Sequence, residues 1–174
     1  MEHNESEPPE ADDKTTHDPI AHGEKNAPVV HALLQNPTED NIAIIFATLY
    51  EGDYVYVHGA GKWFKWTGAY WREDITAQVR DDIRWLSRKQ NSDGKIAPSK
   101  ASFINGVEAL LKSDPVFARH ISEFDKDHYL LNTPDFTIDL RTGDRRVHNP
   151  ADKITRITSV SPRIKGGERF LQFI

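Results

Sequence analysis

Asp125 and Asp127 set two carboxylates two residues apart on a polar stretch, and a divalent ion is one thing such a pair can hold. Solvated or capping roles are the commoner use of a lone acidic pair. Eight histidines (His3, His17, His22, His31, His58, His120, His128 and His148) never adopt the H-x-x-x-H spacing that puts two ligands on one helix face. Gly59-Ala-Gly-Lys62 has the glycines and lysine of a phosphate-binding loop. The full motif also needs a glycine where Tyr56 stands and a hydroxyl where Trp63 stands, so the match fails at both ends. There is no nucleophile elbow and no cysteine, which removes disulfides, thiolate metal sites and a cysteine nucleophile. These residues point to no enzyme.

The other constellation able to do chemistry is Gly61-Lys-Trp-Phe-Lys-Trp-Thr-Gly-Ala-Tyr-Trp-Arg72, which holds three of the four tryptophans and three basic residues. A turn at Thr67-Gly68 folds it into a hairpin, glycine tolerating the positive φ. That register sets Trp66 opposite Ala69, Lys65 opposite Tyr70, Phe64 opposite Trp71 and Trp63 opposite Arg72. Alternation then puts Phe64, Trp66 and Trp71 on one, core-like face and Trp63, Lys65, Tyr70 and Arg72 on the other. Aromatics interleaved with cations are the composition of a platform for single-stranded nucleic acid. Rings covering a second layer, with the cations reaching past them to water, are the plainer reading of the same face.

The elements around it follow from periodicity. Thr38 caps a helix whose Ile42, Ile44, Ile45, Phe46 and Leu49 are apolar nearly all round, which predicts burial on every side, and Gly52-Asp53 stops it. Tyr54–Val57 is a short strand. Ile75, Val79, Ile83 and Leu86 stripe a helix from about 75 to 89. Pro98 and Ser99 open another, striped by Phe103, Val107, Leu110 and Leu111 and ended by Asp114-Pro115. A helical or turn segment spans Val116 to Phe124. Tyr129–Leu131 and Phe136–Leu140 are strands, and Arg141–Asp144 turns the chain into a partner strand at Arg145–His148. The fold class is α+β: a small antiparallel sheet or hairpins packed with three to four helices.

Charge is unevenly placed. Residues 1–28 carry eight acidic residues against two lysines, a net of −6, so the remainder stands at +1 of the overall −5. This segment has too little apolar surface to offset chain entropy and is expected to be a disordered acidic tail. It is a solubilising linker or a mimic of nucleic-acid charge. A folded domain is expected over 29–160, with 161–174 a linker and the helical start of something further at Glu168–Ile174. No apolar run approaches the ~20 residues of a membrane span, and the polar N-terminus is neither a signal nor a transit peptide. A soluble intracellular protein is expected.

From Asp127 to Thr155 the chain resembles the signature of the N-terminal-like domain of poxvirus-type helicase-primases, found in the phage and plasmid primase family upstream of a superfamily 3 helicase. Leu131, Asn132, Asp139, Leu140, Arg141, Thr142, Gly143, His148 and Thr155 occupy the matching places. Gly61, Lys62, Trp63, Trp66, Gly68 and Trp71 look like that family's aromatic hairpin, and Arg169-Phe-Leu171 resembles the start of the helix that leads into the helicase. The resemblance runs from about residue 40 to the end. The chain departs from it at Asp135-Phe136, where the family usually has Asn-Gly.

The resemblance implies a non-catalytic collar or linker domain of a viral, phage or plasmid replicative primase-helicase, in a bacterial host cytoplasm. ATP and magnesium are expected only for the helicase module, whose site these residues lack, so no cofactor is expected here. Two roles stay open. In one, Trp63, Lys65, Tyr70, Arg72, Arg141, Arg145 and Arg146 contact single-stranded DNA without reading sequence. In the other, the same aromatics dock the helicase domain or a second subunit of a hexamer. Asn132, Asp139 and His148 are expected to pin the sheet by bonding nearby backbone.

Overall fold

A computed structural model describes residues 38–90 and 100–162. The acidic tail, Pro98 and Ser99, and the helical start at Glu168–Ile174 lie outside the described residues. The described residues form an α+β fold, with three α-helices and two small sheets among them.

Helix α1 (Glu39–Leu49) starts where expected: Thr38 is extended and its hydroxyl accepts from the Asn41 amide at 3.2 Å, while Glu39 and Asp40 favour the positive end of the helix dipole. Ile42, Ile45 and Phe46 are fully buried, but Ile44 turns outward at 41% exposed, so the helix is covered on one side and not all round. Strand β1 (Tyr54–Val57) follows and pairs antiparallel with β2 (Lys62–Trp66), which pairs antiparallel with β3 (Trp71–Glu73). Helix α2 (Gln78–Gln90) begins three residues later than the apolar stripe predicts. The Asp74 carboxylate caps it, accepting from the amides of Gln78 (2.8 Å) and Val79 (2.9 Å). Ala77 takes a positive φ of 57° just before it. Ile75 is therefore left 83% exposed instead of joining the stripe.

Helix α3 (Ala101–Ser113) buries Phe103, Val107 and Leu111, while Leu110 turns outward. The segment after it is not simply helical. Ala118–Arg119 forms β4, parallel to β1, before a single 3-10 turn at Ile121–Glu123. The first sheet is thus mixed, in the order β3-β2-β1-β4. A two-residue strand carries almost no periodic signal, which is why β4 was illegible beforehand.

This sheet separates two apolar layers. Tyr54, Trp63 and Phe117 join the three helices on one side. Val55, Val57, Trp71 and Phe124 form the second layer, with Phe64 and Trp66 packed against it. The remaining chain makes an antiparallel sheet of β5 (Leu130–Asn132), β6 (Thr137–Asp139) and β7 (Arg145–Arg146). A 3-10 turn at Pro150–Asp152 then leads to Ile154, whose carbonyl accepts from the Trp71 amide at 2.8 Å. No helix among the described residues is long and apolar enough to cross a membrane.

Candidate functional site

The aromatic hairpin forms, with a different turn. Its loop is four residues, Thr67–Tyr70, because the Thr67 hydroxyl accepts from the Tyr70 amide (3.1 Å) and donates to the Tyr70 carbonyl (2.9 Å). Gly68 supplies the positive φ of 91°. The register moves by two residues, so that Trp66 faces Trp71 and Lys65 faces Arg72. A two-residue slip preserves the faces: Phe64, Trp66 and Trp71 still share one, and Trp63, Lys65 and Arg72 the other.

The outward platform expected from the second face is corrected by what covers it. Trp63 is 6% exposed, packed edge-on against Phe117 with centroids 5.8 Å apart. Its indole N–H donates to Glu108 Oε1 at 3.3 Å. A ring so enclosed has no face left for a base. Lys65 lies 5.0 Å from the Tyr54 ring and 3.8 Å from Asp82. Tyr70 is half-buried. Arg72 alone of the four is exposed, with no ion pair among the described residues. The helices cover this face, and a local pattern of alternation does not reveal which layer lies over it.

Beneath Trp63 sits a buried carboxylate. Burial by itself would push Glu108 up, but the hydrogen bond and charge of Lys112 (2.8 Å), the charge of Arg80 and the Trp63 N–H hold it below its ordinary value. Nearby, the Tyr54 hydroxyl donates to Asp82 at 2.5 Å. Burial first, and then that acidic partner, push its pKa up.

In the second sheet Asn132 and His148 of the signature come together beside the buried Thr137. Asn132 Nδ2 donates to the Ala69 carbonyl at 2.6 Å, reaching the hairpin loop. Its Oδ1 accepts from the Thr137 hydroxyl at 2.6 Å and lies 3.0 Å from His148 Nδ1. The Asn132 carbonyl accepts from the Thr158 amide at 2.9 Å. Trp71, from the hairpin side, donates its indole N–H to the Pro150 carbonyl at 2.9 Å. Thr155 binds Asp125 through its amide (2.8 Å) and hydroxyl (2.5 Å). Leu131 is half-buried and Leu140 exposed.

The Arg141–Asp144 turn is closed by Gly143, at φ +80°, whose amide donates to the Asp139 carbonyl at 2.7 Å, and by Thr142, whose hydroxyl accepts from the Asp144 amide at 3.2 Å. Asp139 accepts the Arg141 amide and grips its guanidinium through both oxygens, at 2.8 and 2.9 Å. Those bonds hold Asp139 below the usual carboxylate range and push Arg141 up. Asp127 takes a further bond from Arg141 at 2.9 Å. Arg146 forms a bidentate pair with Asp152, both contacts 2.8 Å, and the bond to that carboxylate pushes it up. Arg145 lies 4.7 Å from the Phe136 ring. Its neighbour points elsewhere, as strand alternation requires. The arginine cluster expected to offer free charge is thus largely neutralised within the fold.

Asp125 and Asp127 are occupied as well, the first by Thr155 and the second by the Tyr129 amide (3.0 Å) and Arg141. No group of three or more His, Cys, Asp or Glu side chains placed to hold a metal occurs among the described residues. Lys62, of the failed phosphate-loop match, pairs with Glu73 at 2.7 Å.

Sequence reading passed over the outer face of α2, where Arg84, Trp85, Arg88 and Lys89 are exposed. Their signal in the sequence is the i, i+4 spacing of Arg84 with Arg88 and of Trp85 with Lys89. Sequence reading also missed the Asn132–Ala69 link, which joins residues 63 apart.

The family model described as D5 N terminal like matches residues 43–174. No curated protein matches the chain.

Proposed function

The chain belongs to the D5 N-terminal-like family, a domain of primase-helicase proteins, and from that premise we propose that it is a non-catalytic connector of a replicative primase-helicase. It docks the helicase module and supports subunit assembly in the host cytoplasm, with ATP and magnesium bound by that module. The observation that carries this reading is the inward engagement of the signature. Asn132, Thr137 and His148 bond one another and the hairpin loop, while Arg141 and Arg146 are spent on Asp139, Asp127 and Asp152. Residues used this way hold two sheets in one orientation, which is what a connector between modules needs.

The test is to mix the purified chain with the superfamily 3 ATPase module of a D5-type primase-helicase and follow both by sedimentation velocity. Co-sedimentation supports docking. Separate boundaries at all concentrations overturn docking, and nucleotide hydrolysis by the chain itself overturns the non-catalytic role.

A further inference from the structure

On α2, Asp81, Arg84, Trp85, Arg88 and Lys89 lie on the side opposite the buried Val79, Ile83 and Leu86. They line an open groove of about 330 Å³. Trp85 is 36% exposed, against 6% for Trp63 and 2% for Trp71, so its ring is available where those are not. Lys89 Nζ lies 5.5 Å from the Trp85 ring, Arg84 is 3.2 Å from Asp81, and Arg88 has no ion pair among the described residues. Three cations and one acid surround the indole.

Two requirements define what fits. Arg88, with Lys89 beside it, calls for negative charge next to the indole. The exposed indole calls for a planar partner. A single strand of nucleic acid offers both in every nucleotide, whereas a duplex keeps its bases stacked inside, and an acidic peptide brings charge without a ring. We infer that the outer face of α2 is a contact site for single-stranded nucleic acid, with a base stacked on Trp85 and neighbouring phosphates held by Arg88 and Lys89, Arg84 being paired with Asp81. Stacking on an indole and phosphate contacts do not depend on base identity, so the contact is sequence-tolerant. It goes beyond the connector role and does not rest on it.

The test is fluorescence anisotropy of a labelled oligo-dT strand titrated with the full chain at low and moderate salt. Wild type binds, and binding weakens with salt. Trp85→Ala loses about tenfold or more in affinity. Arg88→Ala combined with Lys89→Ala lowers the salt slope by about 1.4, the share of two phosphate contacts. Trp85→Phe retains a stacking ring and most of the affinity, which separates a lost contact from a lost fold. No binding by wild type at low salt, or equal affinity in wild type, Trp85→Ala and the double variant, overturns the proposal.

Discussion

Asn132 reaches across the molecule to Ala69: its amide nitrogen donates to that carbonyl at 2.6 Å, joining the second sheet to the loop of the aromatic hairpin. Three other groups depend on the same side chain or backbone, namely Thr137, His148 and Thr158. Asn132 is 3% exposed, so water cannot easily replace what it supplies. Asn132→Ala should cost about 1–3 kcal/mol, the penalty for leaving buried polar groups unmatched. A lower midpoint in urea with an unchanged m-value is the expected result.

Gly143 carries the Arg141–Asp144 turn at φ +80°, and no neighbour approaches within 4 Å of where a Cβ would sit. Space is therefore not the constraint; backbone conformation is. Gly143→Ala should destabilise by about 1–2 kcal/mol through left-handed strain alone. Gly143→Asn, whose side chain tolerates that region, should recover part of the loss in the same melt.

The depressed Glu108 carboxyl makes a claim about pH. A carboxylate held below its unfolded value contributes stability that is fully present above that value and lost as pH falls through the folded one. Unfolding free energy should therefore decline as pH drops below the ordinary glutamate value of 4.5. Glu108→Gln should be less stable at neutral pH, because Arg80 and Lys112 lose their shared anion. Its acid-side decline should be shallower. Parallel curves for the two proteins would remove Glu108 from the account.

Arg141 is exposed and paired with Asp139 and Asp127. Exposed pairs contribute about 0–1 kcal/mol, so Arg141→Ala should melt close to wild type. Since its guanidinium is engaged within the fold, the same substitution should leave affinity for single-stranded DNA unchanged. A clear loss of affinity would return the turn to the binding surface.

Much of this architecture is legible in the sequence, and the exceptions have a local cause at the α2 boundary and a long-range one elsewhere. Thr38, the helix stripes and Tyr54–Val57 are local signals, and local signals were sufficient for α1, β1 and most of α2 and α3. The α2 boundary went astray because the Asp74 side chain competed with a periodic pattern that continued through Ile75. The hairpin faces were read correctly, but their environments were not. Whether Trp63 meets water or Phe117 is decided by the helices packed over it. The polar signature is recognisable as a pattern in the sequence. The Asn132 partner, Ala69, lies too far along the chain for any periodicity to disclose.

The central claim is that the aromatic hairpin and the second sheet form one cooperative unit. Asn132 joins the second sheet to the hairpin loop at Ala69, and Trp71 of the hairpin bonds the Pro150 carbonyl just after that sheet. A double-mutant cycle on Asn132→Ala and Trp71→Phe by urea unfolding tests it most directly. Residues acting through one shared structure should show a coupling of about 0.5–3 kcal/mol. Additive losses within about 0.3–0.5 kcal/mol would mean that the two ties act separately, and would contradict the rigid connector.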